Sequence, residues 1–255
     1  SVNLILLDPE ELSPEGQAWL TDRRALHIRS VLKVVPGQCL RVGLIGGPLG
    51  NGRVRSLDTE GVKLDCAFES AVPAAPRVDL LLALPRPKAM KRLWTALAAL
   101  GVGRILVTQA AKVERSYFDS HVLEPAFVRG RLLEGLEQAV DTHLPRVTLH
   151  RHFQKLIEDE LDLLCPTPAR WMAHPGSDRP CSDLPFPADG SRVLLAIGPE
   201  GGWTEDERTL LGGHGFIPFS GGDRIWRSEW AALLLTALVQ ERMAATDRSR
   251  LRPSL

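Results

Sequence analysis

The sequence predicts an α/β protein in which a small β-rich part precedes a larger part built on a parallel sheet. Three observations predict this fold class. Apolar segments with period-two alternation dominate the β-rich part, residues 1–72. From Asp79 onward, short apolar strands alternate with amphipathic helices. Two glycine-rich turns near the end of the chain each follow an apolar strand and precede a helix.

The β-rich part, residues 1–72, is predicted to contain one short helix and several strands. The helical segment is Arg24–Leu32, and the glycine-rich segment Gly46–Gly52 reads as a hairpin connection. These features predict a small barrel. A Pro/Ala-rich linker over residues 70–76 then separates it from the rest of the chain. The predicted strands are Cys39–Leu44 and Val62–Phe68.

The α/β part is expected over residues 77–245, with residues 246–255 as a C-terminal tail. Leu80–Leu84 is a continuous apolar run, which is typical of a strand buried in a parallel sheet. A helix follows, with apolar residues at helical spacing from Met90 to Leu100 and a terminal Gly101 in the position of a cap. The other predicted elements are the strands Ile105–Thr108, Val147–Leu149, Trp171–Ala173, Leu194–Ile197 and Gly215–Phe219, and the helix Phe127–Val140.

Composition and charge narrow the function classes. The formal net charge is zero, which argues against a general coating of nucleic acid. Even so, the segment Arg77–Arg115 has eight basic and two acidic residues, so either a polyanion docks there or the segment is an ordinary solvated surface. The cysteines and histidines lack the spacing of metal ligands, so no metal site is predicted. No apolar run is long enough for a membrane span, and no signal pattern starts the chain, so a cytoplasmic protein is expected.

The first glycine-rich turn leaves backbone groups accessible to a ligand. Gly198, Gly201 and Gly202 carry no side chain, so main-chain N–H and C=O groups can approach a bound molecule closely. Thr204 with Glu207 fits a capping box that starts the next helix. The spacing matches neither a dinucleotide fingerprint nor a phosphate loop. The alternative is an ordinary tight connection between a strand and a helix.

The second turn, Ser220–Glu229, precedes the apolar helix Ala231–Val239, which we expect to be buried. Ser228 and Glu229 are explained by helix capping and by the helix dipole. Arg227, next to a glycine turn, predicts an anionic or carbonyl partner. Because ligands of α/β sheets bind beyond the carboxyl ends of the strands, the two turns predict one pocket.

Together, Ile197–Trp203 and Arg224–Glu229 resemble the signature of the RsmE-type ribosomal RNA methyltransferases of the SPOUT superfamily. The resemblance extends to His27–Gly37, which is similar to the family's N-terminal segment, and to Pro85–Val102, which is similar to the segment that opens its catalytic domain. Order and spacing agree over nearly the whole chain. The resemblance implies a PUA-like RNA-binding β-barrel followed by an α/β domain with a deep C-terminal trefoil knot.

The resemblance also implies a reaction, the transfer of a methyl group from S-adenosylmethionine to N3 of a uridine in 16S rRNA of the small ribosomal subunit, by a homodimer. Uridine N3 carries a proton that must leave, and a cation near O2 or O4 would stabilise the resulting anion. Arg227 is our candidate for that cation, with Arg224 holding the loop and Glu200 orienting a partner or assisting proton removal. The alternatives are a SPOUT methyltransferase that acts on a different RNA and an inactive RNA-binding or assembly homologue.

The residues that the resemblance implies for cofactor binding lie in three segments. Those that it implies for RNA binding lie in both parts of the chain. For one of the cofactor candidates, His174, a structural role is an equal alternative. The candidate cofactor-binding residues are Ala173, His174, Ile197, Gly198, Pro199, Glu200, Gly201, Gly202, Phe219, Ser220, Gly221, Gly222, Arg224, Ile225 and Trp226. The candidate RNA-binding residues are Arg24, His27, Arg29, Lys33, Arg86, Lys88, Lys91, Arg92, Lys112 and Arg115.

Some residues differ from the family's pattern. Trp230 stands where the family commonly has threonine, and Gly221-Gly222-Asp223 replaces leucine-glycine-proline. Ala99 replaces a glutamate, and Ala139 and Val140 alter a segment after Glu137-Gln138. These positions bear on the RNA target and on catalysis rather than on the fold.

Overall fold

The computed structural model describes residues 4–187 and 190–251, and the chain divides into two compact units. The first unit comprises the residues up to Ala75 together with Leu132–Leu144. The second comprises Pro76–Arg131 and the residues from Pro145 onward. Each unit contains its own sheet, one largely antiparallel and one parallel, so the α/β class predicted from the sequence is confirmed.

The first unit is built on a curled five-stranded sheet with the order β1-β3-β4-β5-β2. Strands β1 and β3 are parallel, and the other neighbours are antiparallel. Alternate side chains of the strands form its core, to which the helix α1 (Arg23–His27) and the following π-helical turn add Ala25 and Ile28. The strands are β1 Leu4–Leu7, β2 Gln17–Leu20, β3 Cys39–Leu44, β4 Leu49–Leu57 and β5 Val62–Phe68.

The hairpin predicted at Gly46–Gly52 is wrong in its second half, because β4 already begins at Leu49. Gly50 and Gly52 lie within this strand rather than in the turn. A Cβ atom on Gly50 would collide with the backbone of β5 next to it, and one on Gly52 would lie 2.8 Å from Val42. These glycines therefore allow the strands to approach closely, a role that the sequence pattern does not distinguish from a turn.

The second unit is built on a six-stranded sheet with the order β11-β9-β10-β6-β7-β8, in which all neighbours are parallel. Its central strands β6 and β10 are buried along their whole length and, apart from Asp79, are built of apolar residues. The strands are β6 Val78–Ala83, β7 Val102–Thr108, β8 Arg146–His150, β9 Arg170–Ala173, β10 Val193–Ile197 and β11 Phe216–Phe219.

Helices connect these strands, and their ends follow the sequence signals. Helix α2 ends before Gly101, which has a φ of +76° and so confirms the predicted cap. Both hydrogen bonds of the predicted capping box between Thr204 and Glu207 are present at the start of α6. The helices are α2 Pro87–Ala99, α3 Pro125–Ala139, α4 Phe153–Lys155, α5 Leu161–Leu164, α6 Glu205–Gly213 and α7 Ser228–Leu251.

The apolar helix predicted at Ala231–Val239 is the first part of α7, and the expectation that it is buried is wrong for one face. Ala232 and Leu235 are buried against the second unit's core, whereas Trp230 and Leu234 are 58% and 49% exposed. The residue pattern is apolar around the whole helix, so periodicity could not separate the two faces.

Helix α7 also continues into the segment expected as a C-terminal tail, 246–255, and ends at Leu251. Asp247 accepts a hydrogen bond of 2.6 Å from Nη1 of Arg77, which ties this last part of the helix to the start of the unit. Residues 252–255 lie outside the described residues. No helix in the described part of the chain combines the length and the apolar character of a membrane span.

Candidate functional site

Three neighbouring strands, β9, β10 and β11, end at the same edge of the parallel sheet. The segments that follow them are His174–Pro175, Gly198–Trp203 and Ser220–Trp226, and all three line one pocket. Parallel strands present the carboxyl ends at which α/β proteins bind ligands. The pocket lining is Ala173, His174, Pro175, Ile197, Gly198, Pro199, Glu200, Gly202, Trp203, Ser220, Gly221, Gly222, Arg224, Ile225, Trp226, Ser228, Ala231 and Leu235.

The structure thus brings the predicted cofactor residues together, apart from Gly201 and Phe219. Sequence reasoning missed Ser228, Ala231 and Leu235, which contribute one face of α7 to the pocket. A signal for them was present, because residues spaced by three and then four positions lie on the same face of a helix. The apolar composition of the helix masks this signal, because it predicts burial on every side. The other unpredicted lining residues are Pro175 and Trp203.

The backbone of the first glycine turn is shaped by Trp203. This side chain is buried and packs against Phe153, with the ring centroids 5.3 Å apart. A Cβ atom on Gly198 would lie 3.0 Å from Nε1 of Trp203. Gly202 has a φ of +69°, which other residues adopt only with strain. The turn therefore requires glycine at both positions, and its main chain is left open towards the pocket.

The buried carboxylate of Glu207 holds this turn in place. It accepts hydrogen bonds from the backbone N–H of Thr204, at 2.8 Å, and from that of Ala111, at 2.7 Å. Lys112 reaches across as well and donates from Nζ to the carbonyl oxygen of Gly201, at 2.5 Å. Lys112 is predicted as an RNA contact. The structure adds a hydrogen bond from Lys112 to the first glycine turn, which the sequence does not predict.

His174, at the end of β9, is held by two contacts. Its backbone N–H donates to the carbonyl oxygen of Phe219, at 2.9 Å, and its Nε2 lies 2.8 Å from Nη1 of Arg208. Arginine only donates, so Nε2 must be the unprotonated acceptor. Partial burial, and secondly the charge of Arg208, lower the pKa of His174. The neutral ring therefore joins β9 to α6 at the edge of the pocket.

Arg227, the candidate catalytic cation, does not line this pocket. It lies in a second concavity, which we call the α2–α7 groove and which has a volume of about 480 Å³. Consecutive residues of α7 line the two concavities, Ser228 the first and Glu229 the second. The groove is lined by Arg86, Lys88, Ala89, Arg92, Leu93, Ala96, Arg227, Glu229, Trp230 and Leu233.

Glu200, the other candidate for proton transfer, stands at the pocket rim. Its side chain is 53% exposed, and its Oε1 lies 3.7 Å from Nε of Arg86. Arg86 lines the α2–α7 groove and Glu200 lines the pocket, so this ion pair joins the two rims.

The candidate RNA contacts of the first unit differ in what they contact. The guanidinium of Arg24 binds the carboxylates of Glu11 and Asp22 and donates at 2.8 Å to the carbonyl oxygen of Leu6. These contacts occupy guanidinium N–H groups of Arg24 with partners in its own unit. They also hold the pKa of Glu11 below its usual range. Arg24 therefore has structural contacts within the unit, and its contact with RNA stays a prediction.

The remaining candidates of this unit are His27, Arg29 and Lys33. Arg29 donates from Nη1 to the carbonyl oxygen of Asp58. Lys33 is exposed and has a φ of +51°, a left-handed conformation that is uncommon outside glycine. The six candidates of the second unit are all exposed: Arg86, Lys88, Lys91, Arg92, Lys112 and Arg115.

Within the described ranges, no three His, Cys, Asp or Glu residues come close enough to hold a metal ion. The pocket instead presents backbone groups, aromatic rings and one buried hydroxyl. That hydroxyl belongs to Ser228, which is 3% exposed and whose Oγ has no hydrogen-bond partner among the described residues. A buried hydroxyl without a hydrogen-bond partner is energetically unfavourable. A ligand that forms a hydrogen bond with Ser228 Oγ would remove this penalty.

Comparison with known proteins identifies relatives over the whole chain. The family model for the RNA methyltransferase domain matches residues 73–240. Ribosomal RNA small subunit methyltransferase E of Treponema pallidum is 33% identical over 99% of this chain and 96% of its own length. The same-named protein of Borreliella burgdorferi, methyltransferase E 1, is 21% identical over 88% of this chain and 92% of its own length.

The fold is also found in solved structures. Ribosomal RNA small subunit methyltransferase E of Neisseria gonorrhoeae, solved with S-adenosyl methionine, superposes with a TM-score of 0.80 at 21% identity. The comparison covers 94% of this chain and 98% of that one. A methyltransferase of Legionella pneumophila, also solved with the cofactor, gives a TM-score of 0.78 at 20% identity and the same coverage. At this level of identity the similarity establishes a common fold.

Proposed function

This chain belongs to the RNA methyltransferase family that includes ribosomal RNA small subunit methyltransferase E, and we propose that it methylates N3 of a uridine in 16S rRNA of the small ribosomal subunit. S-adenosylmethionine is the proposed methyl donor. The observation that supports this most directly is the pocket in which two glycine-rich turns and α7 meet at the carboxyl ends of β9, β10 and β11.

The chemistry of the pocket residues suits S-adenosylmethionine. Gly198 and Gly202 line the pocket without a side chain, so the backbone of this turn can pair with the edge of an adenine, which has both donors and acceptors. Apolar contacts are available from Ile225 and Leu235, and Ser228 Oγ is a buried polar atom that a ligand group could satisfy. We assign the binding of the cofactor to the lining residues of this pocket.

S-adenosylmethionine supplies an electrophilic methyl group, whose bond to sulfur breaks as the bond to uridine N3 forms. This chain's part is to align the nucleotide, exclude water and stabilise charge. Arg227 is proposed to stabilise the negative charge that develops on the uracil oxygens, and Arg224 to hold the turn over the pocket. Exposed basic side chains, among them Lys88 and Arg92, would bind phosphates and position the RNA.

The direct test is methyl transfer from labelled S-adenosylmethionine to small ribosomal subunits and to 16S rRNA that lack uridine-N3 methylation, followed by nucleoside mapping. We expect a single 3-methyluridine, and no incorporation into subunits that already carry it. Cofactor binding without transfer to either substrate would contradict the proposed target and point to another RNA. Trp230 and Asp223 would then be the first residues to convert to the family's pattern.

Replacement of Gly198 tests the pocket. In Gly198→Ala the new methyl group would lie 3.0 Å from the Trp203 ring, which is buried against Phe153 and cannot move without moving the turn. We expect calorimetry to show S-adenosylmethionine affinity weakened roughly tenfold, or about 1.4 kcal/mol. Gly212→Ala in α6 is the matched control, because a Cβ atom there meets nothing within 4 Å. Equal affinity in the two variants would exclude this turn from the binding site.

The pH dependence of cofactor binding should report on His174. Because the pKa of His174 in the folded chain lies below the value of about 6.5 in an unfolded one, its contribution to stability is complete above that value and is lost as pH falls through the folded-state pKa. Protonation removes the acceptor for Arg208 and adds positive charge beside a cationic ligand. We expect affinity to fall severalfold from about pH 7 to about pH 5. His174→Gln keeps a hydrogen-bond acceptor and should flatten this pH dependence. If affinity falls equally with pH in the wild type and in the variant, a group other than His174 causes the dependence.

We propose three further features on the strength of the family resemblance. The first unit would be a PUA-like barrel, which its curled sheet supports. The chain after the edge strand β11 would form a trefoil knot, which is supported by the packing of α7 back onto the central strands β6 and β10. The protein would act as a homodimer in the cytoplasm, and the exposed apolar side chain of Leu234 supports a partner surface on α7.

A further inference from the structure

We propose that Glu229 is the catalytic residue that accepts the proton from uridine N3, and that the α2–α7 groove binds the acceptor base. This inference rests on the proposed function and adds a residue and a base-binding site to it. Sequence reasoning explained Glu229 by the helix dipole alone and considered only Glu200 for proton transfer.

The environment of the Glu229 carboxylate supports this role. Its Oε2 is occluded from solvent, and no group in the described residues donates a hydrogen bond to it. Buried carboxylate oxygens in proteins are nearly always hydrogen-bonded, so an unpaired one in the wall of an open groove indicates a donor that arrives with a ligand. Glu200, by contrast, is half-exposed and already paired with Arg86.

The groove around Glu229 suits a pyrimidine nucleotide. The charged groups that share it with Glu229 are Arg86, Lys88 and Arg92 from the α2 side and Arg227 from the preceding loop, all basic. Leu93 and Ala96 of α2 add an apolar wall. At about 480 Å³ the groove has room for a flipped nucleoside, whose phosphates the basic groups would bind.

The position of Glu229 relative to the pocket also fits. Ser228 lines the pocket and Glu229, the next residue, lines the groove. The Arg86–Glu200 ion pair links the rims of the two concavities, so a base held by Glu229 is proposed to lie near the pocket. Arg227 lines the same groove, so a base bound there would have both side chains as neighbours.

The reaction requires Glu229, Arg227, the uridine and S-adenosylmethionine, and no other reactant. The N3–H bond breaks and its proton moves to the Glu229 carboxylate, while the N3 electron pair forms the bond to the transferred methyl group. The electrons of the cleaved carbon–sulfur bond remain on sulfur as a neutral thioether. Arg227 stabilises the charge on the uracil oxygens while N3 is deprotonated. The protonated Glu229 returns its proton to water when the product leaves.

The test compares Glu229→Gln with Glu205→Gln, an exposed first-turn glutamate of α6 that lines neither concavity. Glutamine keeps the shape and accepts a hydrogen bond but cannot take the proton. For Glu229→Gln we expect unchanged affinity for S-adenosylmethionine and RNA, and single-turnover transfer slowed about 100-fold or more. Its rate should rise about tenfold per pH unit above neutrality, because hydroxide then replaces the missing base. Glu205→Gln should match the wild type in all four measurements.

A second variant gives a readout without turnover. With S-adenosylhomocysteine bound, the wild type should prefer an rRNA fragment with uridine over one with 3-methyluridine at the target position, since only the first offers an N3–H to Glu229. Glu229→Ala should lose this preference. A wild-type protein that forms no 3-methyluridine would overturn the proposed function. Methylation by the wild type, with Glu229→Gln within threefold of it and an unchanged pH profile, would overturn the role of Glu229 alone.

Discussion

Replacing Arg227 with alanine should slow methyl transfer to rRNA roughly 100- to 1000-fold, the usual cost of losing one charge-stabilising donor in a catalytic site. Arg227 lines the α2–α7 groove and not the cofactor pocket, although Arg224, three residues earlier, lines the pocket. Affinity for S-adenosylmethionine should therefore stay within about twofold of the wild type. Single-turnover transfer and calorimetry measure the two effects separately.

Two matched arginine variants complete this experiment. Arg224→Ala should weaken cofactor binding, because this side chain borders the pocket. Arg242→Ala, an exposed position further along α7, should change neither quantity. Turnover of Arg227→Ala near the wild-type rate would show that Arg227 does not stabilise the reacting base.

Replacing Asp79 with alanine should lower the free energy of unfolding by about 3 kcal/mol, the lower end for a broken buried ion pair. Asp79 in β6 has no exposed surface, and its carboxylate accepts from Nε of Arg192 at 2.8 Å and also from Nη2 of that residue. Nη1 of Arg104 lies 3.6 Å away. The variant removes the carboxylate partner of both guanidinium groups, whose side chains are each only 30% exposed. Denaturant unfolding measures the loss.

Asp119→Ala is the control for Asp79. Asp119 pairs with Arg151 at 2.9 Å, but its side chain is 71% exposed, so its loss should cost less than about 1 kcal/mol. A similar loss of stability in the two variants would mean that burial of the Asp79 pair contributes nothing beyond an ordinary surface contact.

The segment Arg77–Arg115 illustrates why charge counted along a sequence overstates a binding surface. Of its basic residues, Arg77 pairs with Asp247, Arg104 with Asp79, and Arg86 with Glu200. These acidic partners lie elsewhere in the chain or belong to the sheet core. The basic charge of the segment is therefore partly neutralised. The basic side chains on the groove side of α2 are the ones that we propose to contact RNA.

The candidate site could be predicted in part, because its glycine turns are local features. The turns lie next to the strands that position them, and those strands are visible in the sequence as apolar runs between helices of ordinary length. Ser228 and Glu229 were assigned to helix capping and the dipole, because a sequence shows that a side chain is polar but not whether it is paired. Only the folded chain reveals that Ser228 Oγ and Glu229 Oε2 are buried without partners among the described residues.

The sequence by itself determined the elements of this protein whose signals lie within a few residues of one another. Gly101 ends α2, and Thr204 with Glu207 begins α6, since caps are made by neighbours in the chain. Such signals, with the apolar runs of β6 and β10, were enough to predict the α/β class.

Only the tertiary structure decided which side chains meet across long separations. It directs Arg227 and Arg224 to different concavities, pairs Asp79 with Arg192, and uses Arg24 to tie the first unit together. The physical reason is that a side chain's partner depends on its direction and on packing between distant segments. Neither is encoded in the local pattern of residue types.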